Sequence, residues 1–131
     1  MTRSAPLEGI RVLDVSSVLS GPLTTMLLAD LGADIIKVEP PSAPDFTRGT
    51  GQAHNEMTAY FYNTNRGKRA IAVDGRHLLG QKILQQLADG ADVVVQNMRP
   101  GKVTGIGLDP DECMKRNPSL IYASISGYGS D

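Results

Sequence analysis

Arg99 and Lys102 flank a Pro-Gly pair in QNMRPGK, directly after an apolar run, and this corner is the clearest chemical signal in the chain. Proline presets one turn, glycine lets the backbone come close with its amides turned outward, and a guanidinium beside an ammonium suits a phosphate. The same residues read equally as a charged turn with no ligand. Arg76 and the NRGKR stretch at 65–69 add a local basic bias that the net charge of −1 conceals, and a solvated basic face accounts for that bias as well.

Acid–base and nucleophilic candidates are few. His54 lies in a loop rich in Pro, Gly and polar residues, and His77 stands near a helix start, where histidine commonly caps or faces water. Cys113 has no histidine beside it in sequence to activate its thiol, so it reads as inert. No spacing of His, Cys and carboxylates suggests a metal, and SGYGS is not the G-x-S-x-G elbow of hydrolases. The residues alone therefore point to an anion-binding surface and assign no catalytic residue.

Strands alternating with helices must position that surface. GIRVLDVSS and ADIIKVEPP are short apolar runs rich in β-branched residues, as in strands buried on both faces. Between them, SGPLTTMLLADLG places Leu23, Met26, Leu27 and Leu31 at helical spacing, with Pro22 in the first turn and Gly32 as the stop. The pattern dissolves over 42–56 and resumes with a short strand over 70–73. HLLGQKILQQLADG then puts Leu79, Ile83, Leu84 and Leu87 on one helical face. ADVVVQNM is a further apolar strand, Asp109 and Pro110 open a helix that Asn117-Pro118 closes, and LIYASIS is the last strand. This rhythm predicts an α/β fold with an open, mostly parallel, Rossmann-like sheet and flanking helices, in one domain over 1–131.

In such sheets ligands gather at the carboxyl ends of the strands, so the turns SSVLSGP, EPPSAPD, QNMRPGK and SGYGSD should share one rim. A dinucleotide is disfavoured there. Glu39 stands where a ribose carboxylate would, yet the first turn lacks the glycines that admit a pyrophosphate. With a net charge of −1 nothing in the chain attracts nucleic acid globally, and no apolar run reaches the roughly 18 residues of a membrane span. The start MTRSAPLEG has no apolar signal region and the single cysteine forms no internal disulfide, which fits a reducing cytoplasm.

Four stretches together carry a resemblance: LEGIRVLDVSSVLSGPLTTMLLADLGADIIKVEPP, YFYNTNRGKRAIAVD, ADVVVQNMRPGKVTGIGLDP and NPSLIYASISGYGSD. In order and spacing they resemble the amino-terminal part of the class III coenzyme A transferases, a family that includes formyl-CoA and carnitine CoA-transferases and the α-methylacyl-CoA racemases. The resemblance implies that the chain is part of a larger CoA-transferase large domain, that a full-length member has a Rossmann-like domain plus a small one, and that members form interlocked homodimers. It implies coenzyme A, carried as an acyl-CoA, and a carboxylic acid as small-molecule partners.

Position by position, the resemblance places Val18 and Leu19 in the CoA pocket, Val73 to Arg76 at the adenosine end, and Gln96, Asn97, Met98 and Arg99 against CoA. Arg76 and Arg99 then have a 3′-phosphate and a pyrophosphate to meet. Where many members carry an arginine after the Pro-Gly, this chain has Gly105, with Lys102 as the nearest substitute. In the transferases an aspartate beyond the SGYG loop attacks the thioester, whereas racemases use a His/Asp pair; both sets align downstream of residue 131, and Asp131 aligns with the loop before the nucleophile. The expectation is the CoA-binding segment of a transferase, catalytically incomplete alone. A racemase-type isomerase and a non-catalytic α/β binding module are the rivals.

Overall fold

The computed structural model describes residues 4–55 and 57–129. Five strands form one parallel sheet: β1 (Arg11–Asp14), β2 (Asp34–Glu39), β5 (Arg69–Ala72), β6 (Val93–Gln96) and β7 (Ile121–Ser124), in the order β5-β2-β1-β6-β7. The remaining two, β3 (Ala53–His54) and β4 (Met57–Thr58), make a small antiparallel hairpin. Counted within the large sheet alone the order is 3-2-1-4-5, that of doubly wound nucleotide-binding folds, and it reverses direction between β1 and β6. The expected α/β class and parallel sheet are therefore present.

Strand periodicity divides the core in two. Val12, Ile35 and Val95 point to one face, where Leu28 and Ala29 of helix α1 (Ser20–Asp30) cover them. Leu13, Val15 and Val94 point to the other, against Leu84 and Ala88 of α3 (Leu78–Asp89) and Cys113 of α4 (Pro110–Arg116). Fully buried side chains of this size each contribute about 1.5–3 kcal/mol.

The ends of the helices follow their sequence signals. Gly32, at φ +100°, follows α1 and takes the left-handed conformation that other residues adopt at a cost. Asp109 caps α4 by accepting from the Asp111 and Glu112 amides.

The helix faces differ from expectation. In α1 the covered residues are Gly21, Pro22, Thr25 and Met26, while Leu23, Leu27 and Leu31 stand exposed. In α3, Leu84 is buried but Leu79 is 74% exposed and Ile83 42%. Helical spacing identifies an apolar stripe, but what covers it is a tertiary matter, and α1 meets the sheet through Leu28 and Ala29 rather than through Leu23, Leu27 and Leu31. The loop over 42–56 also holds more order than the sequence pattern implies: a 3-10 turn (Phe46–Gly49) and the β3–β4 hairpin, followed by the short helix α2 (Ala59–Asn65). Thr58 caps α2 by accepting the Phe61 amide, a signal readable in TAYF once the helix is known.

Candidate functional site

Because the sheet strands are parallel, the turns after β1, β2, β6 and β7 emerge at one end, as the sequence requires. The crevice opens where the order reverses. β1 and β6 stay joined as far as the Val15 amide, which donates to the Val95 carbonyl at 2.9 Å; beyond it the chains part. Asn97 closes the gap with its side chain, donating to the Ser17 carbonyl at 2.7 Å and accepting the Ser17 amide at 2.9 Å.

The first turn is pinned on every side. The Ser16 amide donates to Asp14, and the Ser16 carbonyl accepts from Lys37 Nζ at 3.0 Å. The Val18 amide donates to Asp45 Oδ2 at 3.0 Å. Val18 sits at φ 70°, a left-handed conformation unusual for a β-branched residue and costing about 1–3 kcal/mol. Close approach adds a further constraint, since a Cβ on Gly21 would overlap the Ser16 side chain.

Under this turn lies a charged cluster. Asp14, Lys37 and Glu39 occupy the same sheet face as Val12 and Ile35, one or two pleats nearer the carboxyl end, so that face changes from apolar to ionic along the strands. Lys68 Nζ donates at 2.9 Å to each of Asp14 Oδ2, the Pro22 carbonyl and Asn65 Oδ1, three acceptors for the three protons of an ammonium. Thr25 Oγ1 donates to Asp14 Oδ2 at 2.6 Å. Burial pushes the Asp14 carboxyl up, but Lys68, Lys37 and the Ser16 and Thr25 hydroxyls outweigh it and hold Asp14 below the usual carboxylate range. Burial also lowers Lys68, against the pull of Asp14. The geometry decides in favour of an ion pair, since a neutral amine would leave one of these buried acceptors without a donor.

Asp45 and Glu39 continue the cluster. Arg48 grips Glu39 with two bonds of 3.0 and 2.6 Å and lies 3.8 Å over the Phe61 ring. Of these residues only Glu39 stands out in the sequence, where a ribose carboxylate would be, yet Ile35-Lys37-Glu39 and Val12-Asp14 repeat with the period of a buried strand face, which marks them.

Met98, half-buried, lines three hollows that meet at the rim. One of 190 Å³ lies between the turns after β1 and β2, and two of 350 and 380 Å³ lie between those after β6 and β7. Gln96 is buried, accepts the Met98 amide at 2.7 Å and lines the 380 Å³ hollow. Arg99 lines the 350 Å³ hollow with Ser126 to Gly129. Lys102 stands exposed on the same turn, its amide closing on the Arg99 carbonyl. Among the described residues neither cation has a carboxylate partner.

The other sequence candidates fall elsewhere. Leu19 is exposed at the start of α1, beside Val18. Val73 packs in the core beneath the rim. Arg76 binds both oxygens of Asp74 and reaches Ser42 at 3.2 Å, tying the turn after β5 to that after β2. The NRGKR cations are spent on Asp30, Asp14 and Asp34 rather than gathered at the rim. Asp131 lies outside the described residues.

A parallel sheet in this order, with an anion-ready corner at its reversal, can be set beside known proteins. The sequence model of CoA-transferase family III matches residues 7–131. The chain belongs to that family.

Among the family's relatives, succinyl-CoA:glutarate CoA-transferase of Mus musculus is 47% identical over 95% of this chain and 29% of its own length. Formyl-CoA:oxalate CoA-transferase of Afipia carboxidovorans is 44% identical over 94% of this chain and 29% of its own. A solved CAIB/BAIF family protein from Brucella suis superposes with a TM-score of 0.91 at 40% identity, covering 98% of this chain and 35% of that one. Rv3272 from Mycobacterium tuberculosis gives 0.89 at 41% identity, with the same shares. The chain thus spans about three tenths of the curated relatives it matches. Among the described residues no helix is long and apolar enough to cross a membrane.

Proposed function

We propose that this family III chain supplies the coenzyme A-binding part of an enzyme that moves CoA between an acyl-CoA and a carboxylic acid. The observation that carries the reading is the rim corner: Arg99 and Lys102, without carboxylate partners among the described residues, beside the hollows that Met98 lines. Charge left unpaired at the mouth of a crevice suits the 3′-phosphate and pyrophosphate of CoA, and Met98 and Val18 offer apolar surface to the rest of the molecule.

In this reading Arg76 meets the adenosine end with donors not spent on Asp74, and Leu19 extends the wall beside Val18. Gln96 and Asn97 act mainly by holding Met98 and Ser17 in place, and Val73 supports the floor from the core. The relatives' names, succinyl-CoA:glutarate and formyl-CoA:oxalate CoA-transferase, favour transfer over racemisation. In transfer an enzyme carboxylate oxygen attacks the thioester carbonyl carbon and the CoA thiolate leaves, giving a mixed anhydride; the thiolate then attacks the enzyme-derived carbonyl carbon of that anhydride and the donor acid leaves as its carboxylate. The acceptor carboxylate repeats these steps in reverse on the enzyme-bound thioester, so that acceptor acyl-CoA forms and the enzyme carboxylate is restored. The attacking carboxylate is assigned to polypeptide outside these residues, and an interlocked homodimer in the cytoplasm is the expected setting.

Calorimetric titration with CoA tests this. Binding should weaken with added salt, and Arg99→Ala should raise Kd about 10–100-fold, the range for a charged hydrogen bond of about 1.5–3 kcal/mol. Absence of binding at millimolar CoA overturns the reading.

A further inference from the structure

We propose that Lys37 and Asp45 are positioning residues, holding Val18 left-handed and the Ser16 carbonyl fixed so that the turn after β1 is set before any ligand arrives. Its consequence for CoA rests on the function proposed above; its consequence for the turn does not.

The motive is a coincidence of two costly features. A β-branched residue in the left-handed region persists only where its surroundings over-determine it. Directly beneath stands an ion pair whose side chains are 2% and 1% exposed, a kind of pair that apolar residues of similar size replace with little loss of stability. Asp45 joins the two: its Oδ2 accepts the Val18 amide and Lys37 Nζ, while its Oδ1 is fixed by the Thr47 amide and hydroxyl at 3.1 and 2.7 Å. Lys37 in turn holds the Ser16 carbonyl.

The support continues outward. The Asp45 amide donates to Glu39, which Arg48 grips from its seat over Phe61, so packing of α2 against the 3-10 turn is transmitted to Val18. Burial pushes Asp45 up, but Thr47, Lys37 and the Val18 amide prevail and keep it ionised. Lys37 lines none of the three rim hollows; Asp45 borders the 190 Å³ one, but both its oxygens are taken by the Val18 amide, Lys37 and Thr47, so the part of the pair is to position the turn.

Two readouts on the intact chain test this. In Asp45→Asn, amide exchange at Val18, followed by nuclear magnetic resonance, should accelerate at least tenfold while core amides such as Val94 keep their protection. The same substitution should weaken CoA about tenfold beside valine, but less than twofold in a Val18→Gly background, because glycine adopts positive φ without a clamp. A merely structural role would give the same penalty in both backgrounds. Unchanged exchange at Val18, or equal penalties, overturns the proposal. Should Asp45→Asn fail to fold, Thr47→Val removes only the hydroxyl that orients Asp45, and a severalfold rise in Val18 exchange is expected. If the parent chain binds no CoA, the assigned function fails and Val18 exchange alone decides the positioning role.

Discussion

The rim has two halves that use charge in opposite ways. Under the β1–α1 turn, Asp14, Lys37, Asp45 and Lys68 are withdrawn from water and satisfied by one another and by neutral donors and acceptors. Around the β6 turn, Arg99 and Lys102 stand in solvent. A saturated buried network has little attraction left for a visiting ion, but it fixes geometry, because any displacement leaves a charge unpaired in low dielectric. An exposed cation costs little to leave alone, since water solvates it, and it keeps its charge for an anion that displaces that water. The lesson is that clustering of cations in sequence does not locate a binding site. NRGKR is the densest basic stretch, and each of its three cations has a carboxylate partner.

The contrast breaks most visibly at Asp14. Asp14→Ala strands the Lys68 ammonium and should cost about 3–5 kcal/mol, a large part of the stability of a domain this size, measured by urea unfolding. Joint replacement, Asp14→Leu with Lys68→Met, should cost clearly less than Asp14→Ala, because no charge is left behind. A double variant as unstable as the single one would show that the pair's charge is not what matters.

Acid sharpens the contrast at intermediate size. Burial raises Asp14, Glu39 and Asp45, yet their lysine, arginine, hydroxyl and amide partners leave all of them below ordinary values. A carboxyl lower in the folded state than its unfolded value of about 4 stabilises the fold above about pH 4, and that contribution is lost as pH falls through the folded value. Circular dichroism should therefore show stability flat near neutrality and falling below about pH 4. A fold unaffected down to about pH 2 would remove these carboxylates from the stability account.

The smallest effect belongs to the open half. Arg99→Ala with Lys102→Ala should leave the thermal midpoint where it is, since no partner among the described residues loses a bond. A marked drop would mean that these cations serve the fold and would merge the two halves of the rim.

Single residues separate what the sequence displays from what it hides. β1, β2 and β6 were legible because their apolar runs are continuous, the mark of strands covered on both faces. Asp109 and Gly32 marked helix ends by local chemistry that needs no distant partner. α2 was not legible: seven residues, several of them aromatic or β-branched, make a helix only because Thr58 caps it and Phe61 packs beneath Arg48. In the candidate site, Arg99 and Lys102 were legible from the turn they flank, while Asp14, Lys37 and Asp45 passed as ordinary strand and loop residues.

By itself, then, the sequence determined the alternation of strand and helix, the parallel class, the end of the sheet where the turns gather and the family motifs, all of which depend on neighbours close along the chain. Only the tertiary structure decided which leucines of α1 and α3 are covered, which cations are paired, and that the turn carrying the left-handed Val18 is bonded to Lys37 and Asp45, 21 and 27 positions away from the residues they hold. Those outcomes depend on atoms brought within about 3 Å by folding, and hydrogen bonds and ion pairs at that range carry no periodicity for a sequence to display.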